Sequence, residues 1–190
     1  MSETRSLLAA AAGVFLLAAP ANAAAPFTLT SSTFKDGAFL LRKNAGANKA
    51  NPNCIGENVS PELSWSNPPE GTVSYALIMT DPEGRNGLGV DHWHAYGIPP
   101  SVSSFAEGEA SQPSEKYVGG KGTAGQSTYM GPCTPPGPPH HYTFVIIATD
   151  LDPKALPPGL TRAELLEKLN GQREGFSWSH RLVQELTLTR

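Results

Sequence analysis

Apolar residues occur in this chain mostly as short runs that end at turn residues. Residues 74–80 form a largely apolar run that ends at Asp81-Pro82, and residues 142–149 form another that ends at Asp150. Runs of this length, bounded in this way, are typical of strands inside a sheet. We therefore predict two central strands that are buried on both faces, each with an acidic residue at its exit.

Three further segments have strand character. Residues 27–34 and 182–189 predict outer strands near the two ends of the domain, and residues 91–99 predict a strand that carries two histidines. Glycine and proline, at 19 and 18 of 190 residues, separate these short segments. The pattern favours one domain made mainly of β-strands.

One helix is predicted towards the C-terminus. Thr161 and Glu164 have the spacing of a capping box, in which each side chain binds the backbone of the other residue. Leu165, Leu166 and Leu169 follow as an apolar stripe. We expect this helix to pack on the sheet at the periphery of the domain.

The first 23 residues have the pattern of a secretory signal peptide. An apolar run follows Arg5, and Ala21-Asn22-Ala23 is a small-x-small sequence of the kind that signal peptidase cleaves. The run is too short to cross a bilayer. We predict cleavage of residues 1–23, a single domain over residues 24–190, and a periplasmic or secreted location. An uncleaved anchor and a buried N-terminal helix are the alternatives.

The charge and the remaining hydropathy pattern argue against a nucleic-acid partner and against a membrane span in the mature chain. A net charge of −3 is too weak an imbalance for a general nucleic-acid binder, which needs a basic surface. No second apolar run reaches the length of a membrane span, so none is expected in the mature chain.

The predicted mature chain contains two cysteines, Cys54 and Cys133. An oxidising compartment would permit a disulfide between them, and two free thiols are the alternative. A structural zinc site made of cysteines needs more than two, so no metal site of that kind is expected.

Four of the five histidines occur in two pairs, His92 with His94 and His140 with His141. Residues i and i+2 of a strand point to one face, so His92, His94 and Tyr96 are predicted to share a side. Such a His-x-His motif can present two imidazoles to one metal ion. A strand histidine is, however, more often an ordinary hydrogen-bonded side chain.

The second histidine pair begins the next predicted strand. His140 and its neighbour would then point to opposite faces, which leaves Tyr142 on the side of His140. Asp81, at the exit of its own strand, could accept a hydrogen bond from one of these groups. One hypothesis is therefore a metal-dependent hydrolase that uses His92, His94, His140 and Asp81, with a metal-bound water as nucleophile.

Three sequence blocks occur in order along the chain. They are GENVSPELSW at residues 56–65, DPE at residues 81–83 with a following His92-Trp93, and GPCTPPGPPHHY at residues 131–142. They resemble the blocks G-x-N-x-S-P-x-L-x-W, D-P-D with an H-W strand, and G-P-C-P-P-x-G-x-x-H-R-Y of the phosphatidylethanolamine-binding proteins. These are also called Raf kinase inhibitor proteins, and the likeness is closest to their bacterial branch.

This resemblance implies an antiparallel two-sheet β-sandwich with Greek-key-like connections and one or two peripheral helices. It implies a binding protein that is not an enzyme and has no cofactor, with a pocket for a small anion such as phosphate or a phospholipid head group. Glycine in the proline-rich loop would let a backbone N–H approach that anion. The pocket residues carried over are Asp81, His92, Gly131, Pro132, His140 and Tyr142.

The chain departs from the family blocks at positions that bear on the ligand. Gly84-Arg85 follows the second acidic residue where the family has A-P, and Arg85 could reach the pocket mouth. Thr134 replaces a proline, and His141 replaces the arginine of H-R-Y. A third hypothesis is a protein-inhibitor or interaction module with a protein partner of unknown identity.

Overall fold

Two antiparallel β-sheets form the body of the molecule in this computed structural model, which describes residues 25–170 and the backbone of residues 184–187. The smaller sheet has the strand order β1-β2-β5, and the larger sheet has the order β6-β4-β3-β7-β8. The strands are β1 (Thr28–Thr30), β2 (Leu63–Ser66), β3 (Ser74–Asp81), β4 (Val90–Ile98), β5 (Ser104–Phe105), β6 (Val118–Gly119), β7 (His141–Thr149) and β8 (Gln184–Thr187). The predicted signal peptide, residues 1–23, lies outside the described residues.

Helical structure is sparse in the described part of the chain. There are two 3₁₀ turns, Arg42–Asn44 and Glu109–Ser111, a single turn α1 (Gly84–Gly87), and one longer helix, α2 (Arg162–Asn170). No helix among the described residues is long and apolar enough to span a membrane.

The two predicted central strands are neighbours within the larger sheet. β3 lies between β4 and β7, and its side chains are almost all buried, as predicted. β7 instead alternates between buried and half-buried side chains, so the prediction of burial on both faces is wrong for this strand. The reason is that only its face towards the smaller sheet is fully covered. β1 and β8 are edge strands, as the sequence predicted.

The main hydrophobic core lies between the two sheets. Trp65 of β2 packs edge-on against Tyr75 of β3, with ring centroids 5.6 Å apart. Phe105 of β5 makes a similar contact with Trp93 of β4, at 5.9 Å. Edge-to-face aromatic pairs of this kind fix the relative position of the layers as well as burying apolar area. The predicted β-sandwich is therefore confirmed.

A second core covers the opposite face of the larger sheet. Leu165 of α2 is fully buried there with Ile78 and Tyr96. The predicted capping box is present, because the Glu164 carboxylate accepts a 2.8 Å hydrogen bond from the N–H of Thr161 and the Thr161 hydroxyl accepts one of 3.4 Å from the N–H of Glu164. The hydrogen bonds that the N–H and the hydroxyl of Thr161 donate to this carboxylate lower the pKa of Glu164. The helix is peripheral, as expected.

A disulfide joins Cys54 to Cys133, which confirms one of the two interpretations of the cysteines. Their Cα atoms lie 4.4 Å apart, although 79 residues separate them in sequence. The bridge connects the segment that precedes β2 with the loop that precedes β7.

Removing this disulfide should lower the free energy of unfolding by about 2–4 kcal/mol, because the unfolded chain regains conformational freedom. The double variant Cys54→Ala/Cys133→Ala avoids free thiols, and equilibrium urea denaturation of variant and parent measures the loss. Equal stability of the two proteins would contradict a stabilising bridge. Two alkylatable thiols in the unreduced parent, counted by mass spectrometry, would contradict the bridge itself.

Candidate functional site

A pocket of about 810 Å³ opens where the exit of β3 meets the start of β7. Five of the six residues carried over from the family line this pocket: Asp81, His92, Gly131, His140 and Tyr142. Pro132 does not line it. The carbonyl of Pro132 instead accepts a 2.8 Å hydrogen bond from the N–H of Gly46 and so holds the loop in place.

Asp81 is the centre of the hydrogen bonding in the pocket. Its side chain is buried, and its Oδ1 accepts hydrogen bonds of 2.9 Å from the N–H groups of Glu83 and Gly84. Its Oδ2 lies 2.8 Å from Nδ1 of His140. Since Nδ1 donates to this carboxylate, Nε2 is the nitrogen of His140 left for a ligand.

His92 is anchored in the same manner by a different acceptor. Its Nδ1 donates to the Met130 carbonyl at 2.8 Å, and its ring packs edge-on against Tyr142 with the centroids 5.1 Å apart. Burial lowers the pKa of His92, and the hydrogen bond to Met130 and the charge of Asp81 offset only part of this effect. The imidazole is therefore mainly neutral at pH 7, with Nε2 as a hydrogen-bond acceptor.

A β-bulge in β4 sets the direction of His92. Met79 pairs with Trp93, whereas the next residue of β3, Thr80, pairs with Asp91. His92 is thus an extra residue on β4, and a bulge of this kind interrupts the alternation of side chains.

The prediction that His92, His94 and Tyr96 share one face is therefore wrong for His92. His94 and Tyr96 lie on the helix side of the sheet, where Nε2 of His94 donates to the Leu160 carbonyl at 2.8 Å and the Tyr96 hydroxyl donates to the Pro157 carbonyl at 2.7 Å. Within the described residues, no group of three or more His, Cys, Asp or Glu side chains is placed to hold a metal ion. His94 is therefore not beside the other three residues of the hydrolase hypothesis, and the proposed set of metal ligands is not assembled.

Asn58 fixes the loop that carries Gly131. The N–H of Gly131 donates to Oδ1 of Asn58 at 2.7 Å, and Nδ2 of Asn58 donates to the Tyr129 carbonyl at 3.1 Å. The expectation that this glycine offers its N–H to an anion is wrong, because the hydrogen is already used. Glycine is required for space instead, since a Cβ at this position would lie 2.2 Å from the Asn44 carbonyl oxygen.

Sequence reasoning gave no role to Asn58 or Thr134. Asn58 lies in the first family block, and its left-handed φ of 58° is a conformation that asparagine tolerates better than most residues. The Thr134 and Tyr142 hydroxyls are 2.6 Å apart, so the threonine that replaces a proline supplies a hydrogen-bond partner. Burial raises the pKa of Tyr142, which keeps its hydroxyl neutral.

Glu83 and His141 form a pair at the edge of the site. The two oxygens of Glu83 accept from Nδ1 of His141 at 2.7 Å and from its backbone N–H at 3.1 Å. Burial alone would raise the pKa of Glu83, but the hydrogen bonds from His141 outweigh it and the pKa lies below its usual value. The side chain of His141 is not among the groups that line the pocket.

Two further segments complete the pocket wall, and the sequence predicted neither in full. One is the irregular chain from residue 46 to residue 54, which ends at the disulfide. The other is the α1 turn, where the possible reach of Arg85 was foreseen and that of Asn86 was not. The additional lining residues include Ala47, Asn48, Asn51, Cys54, Arg85, Asn86 and Cys133.

Comparison with known proteins gives one consistent result. A family model described as phosphatidylethanolamine-binding protein matches residues 30–176. The crystal structure of Escherichia coli YbcL, described as a new member of the mammalian PEBP family, is similar with a TM-score of 0.72, 27% identity, and coverage of 86% of this chain and 98% of that chain. The UPF0098 protein of Aquifex aeolicus (strain VF5) is 36% identical over 63% of this chain and 70% of its own.

Replacing Asn58 should destabilise the protein because two backbone groups lose their partner. We expect Asn58→Ala to lower the free energy of unfolding by about 2 kcal/mol more than Asn67→Ala, measured by urea denaturation. Asn67 is a matched control, since it is also left-handed (φ 55°) and its side-chain hydrogen bonds are exposed. Equal losses in the two variants would show that the backbone conformation, and not the hydrogen bonds, carries the effect.

Proposed function

The chain belongs to the phosphatidylethanolamine-binding protein family, and we propose that it is a binding protein, not an enzyme, whose pocket holds a phosphate-type anion. The anion is either free or part of a phospholipid head group. The observation that supports this most directly is the matched anchoring of His92 and His140. Each uses Nδ1 on a protein acceptor and keeps Nε2 for a ligand.

A proton on each imidazole converts these two nitrogens into donors for an anion. An imidazolium Nε2–H makes a charge-assisted hydrogen bond to a phosphate oxygen, which is stronger than one between neutral groups. The repulsion between the Asp81 carboxylate and the anion is offset, because Oδ2 of Asp81 is paired with His140. Two protonated histidines beside one carboxylate give the inner pocket a net positive charge.

This arrangement links anion binding to pH. Burial lowers the pKa of His92, so at pH 7 the empty pocket has a neutral imidazole that must gain a proton when an anion binds. An opposite charge nearby favours the charged form of the imidazole. Binding therefore takes up a proton, and the affinity rises as the pH falls.

We propose that the protein acts in a periplasm or outside the cell. The N-terminal sequence pattern and the disulfide, which belongs to an oxidising compartment, support this location. Expression in a bacterial host, with fractionation and intact-mass measurement, tests it. A chain in the periplasmic or extracellular fraction that begins at Ala24 is expected. An uncleaved chain in the cytoplasm would contradict the proposal.

Calorimetric titration with inorganic phosphate and sulfate at pH 7.5 and pH 5.5 tests the anion pocket. Sulfate keeps its charge over this range, so its tighter binding at the lower pH would report the protein's own protonation. We expect His92→Gln and His140→Gln to weaken binding about tenfold or more. His94→Gln, which alters a buried histidine of the same strand outside the pocket lining, is the matched control and should leave binding unchanged.

A second experiment, with lipid vesicles, distinguishes a free phosphate ligand from a phospholipid head group. O-phosphoethanolamine is titrated in solution, and flotation measures capture by phosphatidylcholine vesicles with and without phosphatidylethanolamine. Capture that depends on phosphatidylethanolamine and on His92 indicates a head group, whereas binding of the soluble anions alone indicates a free ligand. If no anion binds at millimolar concentration at either pH, the proposed function is wrong.

A further inference from the structure

The two carboxylates of the pocket already have hydrogen-bond partners within the protein. Oδ1 of Asp81 accepts two backbone N–H groups, and its Oδ2 is taken by His140. Both oxygens of Glu83 are taken by His141. An ammonium group on the ligand would have to share a carboxylate with these protein donors, because each carboxylate already accepts hydrogen bonds within the protein.

The Arg85 guanidinium, by contrast, is available. Arg85 lines the pocket, and its side chain has no hydrogen bond or ion pair within residues 25–170. Arg42 and Arg162, in the same part of the chain, are both engaged, the first with the Ile55 carbonyl at 2.9 Å and the second with Asp91 at 2.6 Å. The unpaired charge at the pocket mouth is therefore positive.

The backbone around Arg85 is in an unfavourable conformation. Arg85 and Asn86 have left-handed φ angles of 54° and 59°, and Gly87 and Gly89 follow with φ angles of 87° and 82°. Non-glycine residues adopt this region at a cost in free energy, and such strain is concentrated at binding sites. The hydrogen bonds that the N–H groups of Glu83 and Gly84 donate to Asp81 hold the start of this turn beside the pocket.

We propose that Arg85 makes the pocket selective for a phosphate ester that carries a second anionic group, such as a carboxylate, over one that carries only an ammonium. This inference rests on the proposed function, because it presumes that the histidines hold the phosphate. The guanidinium binds a carboxylate with two parallel hydrogen bonds, which a neutral side chain cannot reproduce.

Two soluble probes that differ by one carboxylate test the inference. O-phosphoserine is O-phosphoethanolamine with a carboxylate added, and both are titrated against the protein at one pH. We expect O-phosphoserine to bind about tenfold more tightly. Arg85→Gln should reduce the ratio to about twofold or less, since the remaining preference is nonspecific. Arg162→Gln removes the same charge outside the pocket lining and should keep the tenfold ratio.

A glycine variant separates selectivity from a structural role. Arg85→Gly relieves the left-handed conformation, so its melting temperature should equal or exceed that of the parent while the preference for O-phosphoserine is lost. A lower melting temperature in this variant would indicate that Arg85 is a structural residue, and would overturn the inference.

The failure of this inference is distinguishable from the failure of the proposed function. Equal affinity for the two probes in the parent protein, or a preference that survives in Arg85→Gln, overturns the selectivity while inorganic phosphate still binds. If inorganic phosphate does not bind either, both are overturned. Flotation with phosphatidylserine or phosphatidylethanolamine vesicles shows whether the preferred phosphate ester is a lipid head group or a soluble molecule. Capture by phosphatidylserine that is lost in Arg85→Gln supports a lipid, and selective binding of O-phosphoserine alone supports a soluble ester.

Discussion

The buried carboxylate of Asp81 must have all its hydrogen bonds satisfied, and the pocket is organised around that requirement. An unpaired charge in this position would cost several kcal/mol, since its hydration has been removed. The partners come from the turn that follows β3 and from the entry to β7. These contacts bring the strained turn and the His140 imidazole together at the pocket. The turn that carries Arg85 and the His140 imidazole are therefore both held by contacts with one carboxylate.

Regular features of the fold could be predicted from sequence because they repeat locally. The apolar run of β3 and the Thr161–Glu164 capping box need only neighbouring residues to be recognised. The bulge at His92 could not be predicted in this way, since one extra residue changes strand pairing without changing the local pattern. Five of the pocket-lining residues were named through the family blocks, and their roles were not always those expected. Gly131 provides space for a close approach and not a donor.

The bulge lets a single strand serve both faces of the larger sheet. His92, at the bulge, contributes to the pocket, and beyond the bulge His94 and Tyr96 hold the segment that leads into α2. Two histidines two positions apart therefore have different surroundings, one in the pocket lining and one in the helix-side core. The same motif on a regular strand would have directed both rings to one side.

Most of the contacts that build the pocket join residues far apart in the chain. The Asp81–His140, Asn58–Gly131 and Cys54–Cys133 contacts span 59, 73 and 79 residues. Closing such long loops costs entropy before any contact is gained, and folds rich in long-range contacts fold slowly. During synthesis, the residues on one wall of the pocket are made well before their partners on the other wall. The pocket is therefore assembled only after the chain has been made past Tyr142, and a shorter chain contains part of the pocket wall without the pocket itself.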